Sequence, residues 1–216
     1  PNRDMLVNAV SAISNAAETL RRVVLVSGTY TYGVHLGPYK TPAREDDPRL
    51  PVPNYYYDQV DWLRAFQRGK AWDWVELRPQ TLCGFAPGTP MSLMPAIAVY
   101  AALSKARGEP LRFPGSLAVY DCIYQVTDSA HFARAALWSA AEPRCAGEAF
   151  NITNGDFFRW RYMWPVVAAA FEMELDEPAP QRLVETMADK APLWDELVHK
   201  QRLKPYSYKE IVAWPF

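Results

Sequence analysis

Cysteine is scarce: the 216 residues hold three, Cys83, Cys122 and Cys145, widely separated. An odd, scattered set argues against a disulfide framework and fits a reducing compartment, so a cytoplasmic protein is expected. His35, His131 and His199 are equally far apart and show no metal-ligand spacing, so no metal is expected. Charge of neither sign dominates. Lys and Arg total 23 against 24 Asp and Glu, a formal −1, which gives no electrostatic case for nucleic acid. No apolar run is long enough to span a bilayer and no secretory leader is visible, so no membrane partner is expected. There is no G-x-G-x-x-G, no Walker loop, and no nucleophile elbow to support a Ser–His–Asp triad. Internal repeats and low-complexity segments are absent too.

What is present is a chain that is 50% hydrophobic, long enough for one ordinary domain with a real core and too apolar for a disordered one. Its periodicity alternates. "NRDMLVNAVSAISNAAETL" puts Leu6, Val10, Ile13, Ala17 and Leu20 on one helical face, and "VVLV" (Val23 to Val26) reads as a strand. A Pro-rich charged loop, "PAREDDPRLPVPN", leads to a helix in "YYDQVDWLRAFQR", with Val60, Leu63 and Phe66 inward. "WDWVELRP" is a second strand, stopped by Pro79. A helix over "SLMPAIAVYAALSKARG" is closed by Gly108, and "LRFPG" reads as a short strand. The helix in "TDSAHFARAALWSAA" has Thr127 or Asp128 as its cap, "AFNITNG" is strand then turn, and "FRWRYMWPVVAAAF" is helical. Trp160 and Trp164, four apart, read as core. The stretch from Gln181 to Phe216 reads as short helices broken at Pro192 and Pro205.

Strand–helix alternation predicts an α/β fold with a largely parallel sheet, whose ligands sit beyond the carboxyl ends of the strands. Two such ends stand out, "VSGTYTYG" and "ELRPQTLCGF"; neighbouring strands would bring them to one crevice. A third stretch, "NYYYDQVDW" (Asn54 to Trp62), stacks three tyrosines at a helix start. Successive residues on a helix point about 100° apart, so one or two of them can face one pocket. Either the tyrosines are packing, or one is an acid that donates a proton or stabilises an oxyanion.

"NYYYDQVDWL", "LRPQTLCGFAPG" and "AFNITNGDFFRWRYMW", with "PLWDELVHKQRL" and the final "AWPF", together resemble the progesterone 5β-reductase and iridoid synthase-like (PRISE) family. These are atypical extended short-chain dehydrogenases/reductases, and the resemblance covers essentially the whole chain. It implies a Rossmann-like doubly wound parallel sheet with a smaller, mainly helical substrate lobe. It implies NADPH-dependent reduction of activated C=C bonds in enones or enals, hydride going to the β-carbon and a tyrosine stabilising the enolate. That tyrosine aligns with Tyr56; Tyr55, where the family has Phe, and Tyr57 are expected to pack. Ser27 and Gly28 would lie beneath the nicotinamide, with Pro79, Gln80, Thr81 and Leu82 as its wall and Arg78 structural. Tyr39, Met91, Met94 and Phe216 would meet the substrate. A homodimer is compatible with the resemblance.

Two departures matter. The family's strand end reads T-G-x-K-x-Y-G, and its catalytic lysine aligns here with Tyr30 in "SGTYTYG". A lysine there lowers the catalytic tyrosine's pKa and holds the nicotinamide ribose, whereas Tyr30 is neutral near pH 7 and retains a hydrogen-bond donor. Lys40 is a conceivable substitute, and Tyr30 as mere filling of the lysine's space is the bland alternative. The second departure is that the family's Gly-rich phosphate loop is not among these residues. Residues 1–85 are expected to be the second half of a dinucleotide-binding domain, and 86–216 a mixed part with the substrate lobe and remaining Rossmann-like elements. The chain is expected to belong to a longer protein. Three readings follow: an NADPH-dependent enone or enal reductase; a non-redox isomerase or cyclase using Tyr30 and Tyr56 as donors to a carbonyl; a silent ligand-binding homologue.

Overall fold

The computed structural model describes residues 2–86 and 92–214. In chain order its main elements are α1 (Asn2–Ala16), β1 (Arg22–Val26), α2 (Tyr55–Gln67), β2 (Asp73–Pro79), α3 (Leu93–Ala106) and α4 (Leu117–Asp121). They continue with α5 (Ser129–Ala141), β3 (Ala149–Ile152), α6 (Trp160–Ala170), α7 (Leu183–Thr186), α8 (Ala191–Gln201) and α9 (Tyr208–Ile211). The chain divides into two compact units, Pro1–Thr81 with Thr127–Asn154, and Leu82–Val126 with Gly155–Phe216. Among the described residues no helix is long and apolar enough to cross a membrane.

The first unit is built on a three-stranded sheet in the order β1-β2-β3. Both pairings are parallel, with Val24 opposite Val75 and Leu77 opposite Phe150. Three of the four strands expected from the sequence thus lie in one sheet. Strand side chains alternate between faces. Leu25 and Trp74 pack on one face with Val10 of α1 and Val60 and Leu63 of α2. Val75 and Leu77 pack on the other with Phe132 and Ala136 of α5. Helices therefore cover both faces, the doubly wound arrangement. On α1, Val10 is buried while Ile13 is 50% exposed, so the apolar stripe read from the sequence is only partly used.

Local signals place these helices. Asp128, one of the two expected caps, accepts the His131 N–H at 2.8 Å and starts α5. Its far end is met by Arg22, whose guanidinium donates to the carbonyl oxygens of Ser139 and Glu142 and pairs with Asp73. A cation on the last carbonyls of a helix satisfies groups that have no partner within it.

The second unit is a helical cluster cored by Val99, Tyr100 and Leu103 of α3, Trp160 and Trp164 of α6, and Trp194 of α8. Trp160 and Trp164 are core, as their spacing predicts. Gly108, with φ +70°, follows α3 as expected. Two readings need correction. Pro192 does not break a helix but sits in the first turn of α8, where a missing N–H has no intrahelical partner to lose. "LRFPG" forms only an isolated bridge, Leu111 to Leu175. Pro110 and Pro114 flank it and supply no N–H to lengthen a ladder.

Leu63 is fully buried between α2 and the sheet. Leu63→Ala is expected to cost about 2–5 kcal/mol of stability, read as a lower urea midpoint at unchanged slope.

Candidate active site

The site is assembled at the carboxyl ends of β1 and β2. After Val26 the chain leaves the sheet through Ser27 and Gly28 into a 3-10 turn, Thr29–Tyr32. Gly33, at φ +84°, closes that turn, and a Cβ there would meet a Leu50 methyl at 2.4 Å. Only glycine fits this corner. Gly28 is extended, so its backbone makes no such demand. A Cβ on it would stand 3.5 Å from the Pro79 carbonyl oxygen and 3.7 Å from the Tyr56 hydroxyl. The Tyr56 phenol therefore lies against the end of β1, beside the end of β2.

Helix α2 delivers that phenol. Asn54 is its cap, accepting the Tyr56 N–H at 3.0 Å, and its side-chain amide donates to the Tyr30 carbonyl oxygen at 2.8 Å. The Tyr57 hydroxyl donates to the Thr31 carbonyl oxygen at 2.6 Å and accepts from the Leu50 N–H at 3.2 Å. Tyr57 is thus a buried structural residue, as expected. Tyr30 meets Tyr56 edge-on at 6.4 Å and stacks on His35 at 4.6 Å, leaving 44% of its surface exposed. The Tyr55 ring leans on Tyr56 at 4.4 Å.

Burial raises the Tyr56 pKa, and the hydrogen bond and charge of Tyr55, with the charges of Tyr30 and Glu76, push it further up. Each of these favours the neutral phenol. Lys40 does not offset them through a free charge: it is exposed and bonded to Asp47.

Beneath this surface runs a buried polar chain. Glu76 of β2 is 1% exposed. It accepts the Ser27 hydroxyl at 2.6 Å and pairs with Arg78 at 2.8 Å. Arg78 also donates to the Tyr32 hydroxyl at 2.9 Å and to the Glu45 carbonyl oxygen at 3.1 Å, and Tyr32 donates to Asn151 of β3 at 2.7 Å. Burial works against the Arg78 charge, but the Glu76 bond and charge outweigh it, and its pKa stands above the ordinary value. Arg78 is structural, as expected.

The sequence-predicted residues fall as follows. Tyr56, Tyr30, Gly28 and Pro79 converge at the strand ends. Ser27 is buried there with its hydroxyl committed to Glu76. Gln80 follows β2 with a buried side-chain oxygen that has no hydrogen-bond partner. The Thr81 carbonyl oxygen accepts from the Thr127 N–H at 2.9 Å. Tyr39 lies 6.5 Å from Tyr32, nearly parallel. Leu82, 38% exposed, and Met94, 52% exposed on α3, belong to the second unit. Met91 and Phe216 lie outside the described residues. Sequence reasoning missed Glu76, Asn54 and Asn151 as parts of this region, and placed Tyr32 and His35 there without giving them a role. A carboxylate inside an otherwise apolar strand, and an asparagine just before a helix, were the available signals. Among the described residues no group of three or more His, Cys, Asp or Glu side chains could hold a metal.

Comparison with known proteins agrees with this fold. A family model for a PRISE-like Rossmann-fold domain matches residues 1–209. An (S)-8-oxocitronellyl enol synthase from Camptotheca acuminata is 34% identical over all of this chain and 58% of its own length. A 3-oxo-Delta(4,5)-steroid 5-beta-reductase from Arabidopsis thaliana is also 34% identical, again over all of this chain and 58% of its own. The chain thus spans little more than half the length of these relatives. Among solved structures, an epimerase from Methanothermobacter thermautotrophicus superposes with TM-score 0.64 at 17% identity, over 95% of this chain and 60% of its own. RMD from Pseudomonas aeruginosa, solved with NADPH, gives 0.63 at 19%, over 82% and 60%.

Two predictions follow from the site's electrostatics. Arg78→Met strands the buried Glu76 carboxylate and is expected to cost about 3–5 kcal/mol, most of it recovered in the Glu76→Leu/Arg78→Met double variant; paired unfolding curves measure both. Tyr56 is expected to ionise later than an ordinary tyrosine, whose pKa is about 10. Its contribution to stability is fully present below that value and is lost as pH rises through its folded-state value. Absorbance titration of the wild type against Tyr56→Phe should show the late phenol missing from the variant.

Proposed function

The chain belongs to the PRISE-like Rossmann-fold family, and on that premise we propose that the protein reduces the C=C bond of an enone or enal with NADPH, Tyr56 serving as hydrogen-bond donor to the substrate carbonyl. The observation that carries this reading is the Tyr56 phenol itself. It lies against bare Gly28 beside Pro79, at the ends of two parallel strands, in surroundings that keep it protonated. The names of the two relatives, an enol synthase and a 3-oxo-steroid reductase, support it.

The residues present suit a flat ring with a polar edge. Gly28 leaves its backbone uncovered, Pro79 offers a carbonyl oxygen nearby, and the unpartnered Gln80 side-chain oxygen can accept an amide N–H. These residues would hold the nicotinamide, which supplies a hydride when bound. Ser27 contributes its backbone position rather than its hydroxyl, which Glu76 takes. Hydride addition to the β-carbon moves the C=C electron pair onto the carbonyl oxygen as an enolate. A neutral phenol aimed at that oxygen stabilises the new charge more than it stabilised the ground-state carbonyl, which is what accelerates a reaction. Tyr30, half exposed and edge-on to Tyr56, offers a second donor to the same oxygen.

That second donor favours one competing reading. Two neutral phenols with no lysine could polarise a carbonyl for isomerisation or cyclisation without redox change. Turnover of an enone by the natural full-length protein, with and without NADPH, separates the two. Under the reductase reading Tyr56→Phe lowers kcat about 10²–10³-fold. Tyr30→Lys raises enone reduction, by adding positive charge near Tyr56 and a ribose contact. Under the non-redox reading Tyr30→Lys damages the nicotinamide-independent reaction instead. Full NADPH-dependent activity in Tyr56→Phe would sink the proposal.

A further inference from the structure

We infer that Asn54 is a positioning residue whose single side-chain amide sets the Tyr56 phenol relative to Tyr30, with Tyr57 as the second half of the same clamp. The inference rests on the role proposed for Tyr56. The Asn54 side chain is used at both ends. Its oxygen accepts the N–H of Tyr56 at 3.0 Å, and its nitrogen donates to the carbonyl oxygen of Tyr30 at 2.8 Å. One buried amide therefore joins the backbones of the two site tyrosines, 24 residues apart from Tyr30 to Asn54. The next carbonyl along the 3-10 turn, that of Thr31, takes the Tyr57 hydroxyl at 2.6 Å. Adjacent carbonyls of the turn are thus gripped by two side chains of the first turn of α2. The turn's own backbone bonds run from the Thr31 N–H to Gly28 and from the Gly33 N–H to Tyr30, at 3.0 and 3.1 Å, and its Tyr32 hydroxyl is held by Arg78 and Asn151.

An ordinary helix cap needs only the oxygen half of this arrangement. The nitrogen half does nothing for α2; it fixes where Tyr30 stands against Tyr56. A serine at position 54 separates the two functions. It caps a helix about as well as asparagine, but carries no amide nitrogen to bond the Tyr30 carbonyl. Misplacing a reacting group by about 1 Å can cost about 100-fold in rate.

The test is Asn54→Ser in the natural full-length protein, with Tyr57→Phe as the second variant should the first fail to fold. The expected result is a fall in kcat for enone reduction of about 10–100-fold, with KM for NADPH unchanged within about twofold and thermal midpoint close to wild type. Tyr56 should also titrate earlier, because the Tyr30 ring that helps to raise its pKa is no longer held against it. In a Tyr56→Phe background Asn54→Ser should cost clearly less kcat than it does in the wild type. Wild-type kcat together with wild-type titration of Tyr56 would overturn the inference. So would an equal loss of kcat in the Tyr56→Phe background, which marks general damage. A shifted titration with turnover insensitive to Tyr56→Phe would uphold the clamp while rejecting the catalytic role proposed for Tyr56.

Discussion

The buried Glu76–Arg78 pair is the constraint around which the first unit is arranged. A carboxylate at 1% exposure is tenable only if its charge is matched and its oxygens are bonded. Arg78 on the same strand matches the charge, and Ser27 on the neighbouring strand fills the other oxygen. The two residues are two apart, so strand alternation turns both to the α2 face of the sheet. From there the guanidinium reaches Tyr32 in the turn after β1 and, through it, Asn151 of β3. The Glu45 carbonyl oxygen ties down the charged loop, and the Glu45 side chain accepts the Asn151 N–H at 2.6 Å. One ion pair thereby registers all three strand ends with the turn and loop that surround them. Such pairs add little net stability over apolar packing, but removing one partner leaves the other charge buried and uncompensated.

The site sits on top of that frame. Ser27 cannot drift while its hydroxyl is held, so Gly28 presents its backbone in a fixed place. Tyr56 arrives from the other direction, on a helix whose inner face, Val60 and Leu63, is buried against Trp74 and Leu25. Sheet and helix meet where the phenol touches Gly28, and the polar bonds of Asn54 and Tyr57 span the same junction. Chemistry placed on rigid elements is positioned by their packing, which is why core residues such as Leu63 bear on the site without touching it.

Much of this was legible beforehand because it depends on local pattern. The apolar run Val23 to Val26, the alternation of "WDWVELRP" and the stripe of α2 each declare their period. Three parallel strands follow from alternating elements. The convergence of "SGTYTYG" with "ELRP" required only that β1 and β2 be neighbours. What stayed hidden depends on long-range partners. Glu76 looks like a solvent-facing charge until Ser27 and Arg78 are seen to enclose it. Asn54 stands just before a helix, a signal the sequence reading did not use, and its second bond goes to a residue in another element. Pro192 misled because the same residue ends a helix from outside and begins one from within. "LRFPG" misled because a strand-like composition says nothing about whether a ladder partner is present.

If Tyr30 stands where the resemblance aligns a lysine, what the proposed reaction can ask of Tyr56 changes in a definite direction. A nearby cation stabilises the phenolate, so the tyrosine can both give and recover a proton at neutral pH. Here the groups acting on Tyr56 are Tyr55, Tyr30 and Glu76, and all of them stabilise the neutral phenol. Such a phenol is a good hydrogen-bond donor and a reluctant acid. Within the proposed reaction it would hold an enolate without quenching it, and the proton that completes the product would come from elsewhere. The base-catalysed reverse step, which needs a phenolate, would be suppressed by the same surroundings. An environment of this kind suits a reaction that ends at an enol or enolate at least as well as one that ends at a saturated ketone. It is notable in that light that one of the relatives carries the name of an enol synthase and another that of a reductase. In the proposed reaction one donor geometry would serve either outcome, the difference lying in the fate of the enolate after hydride has been added.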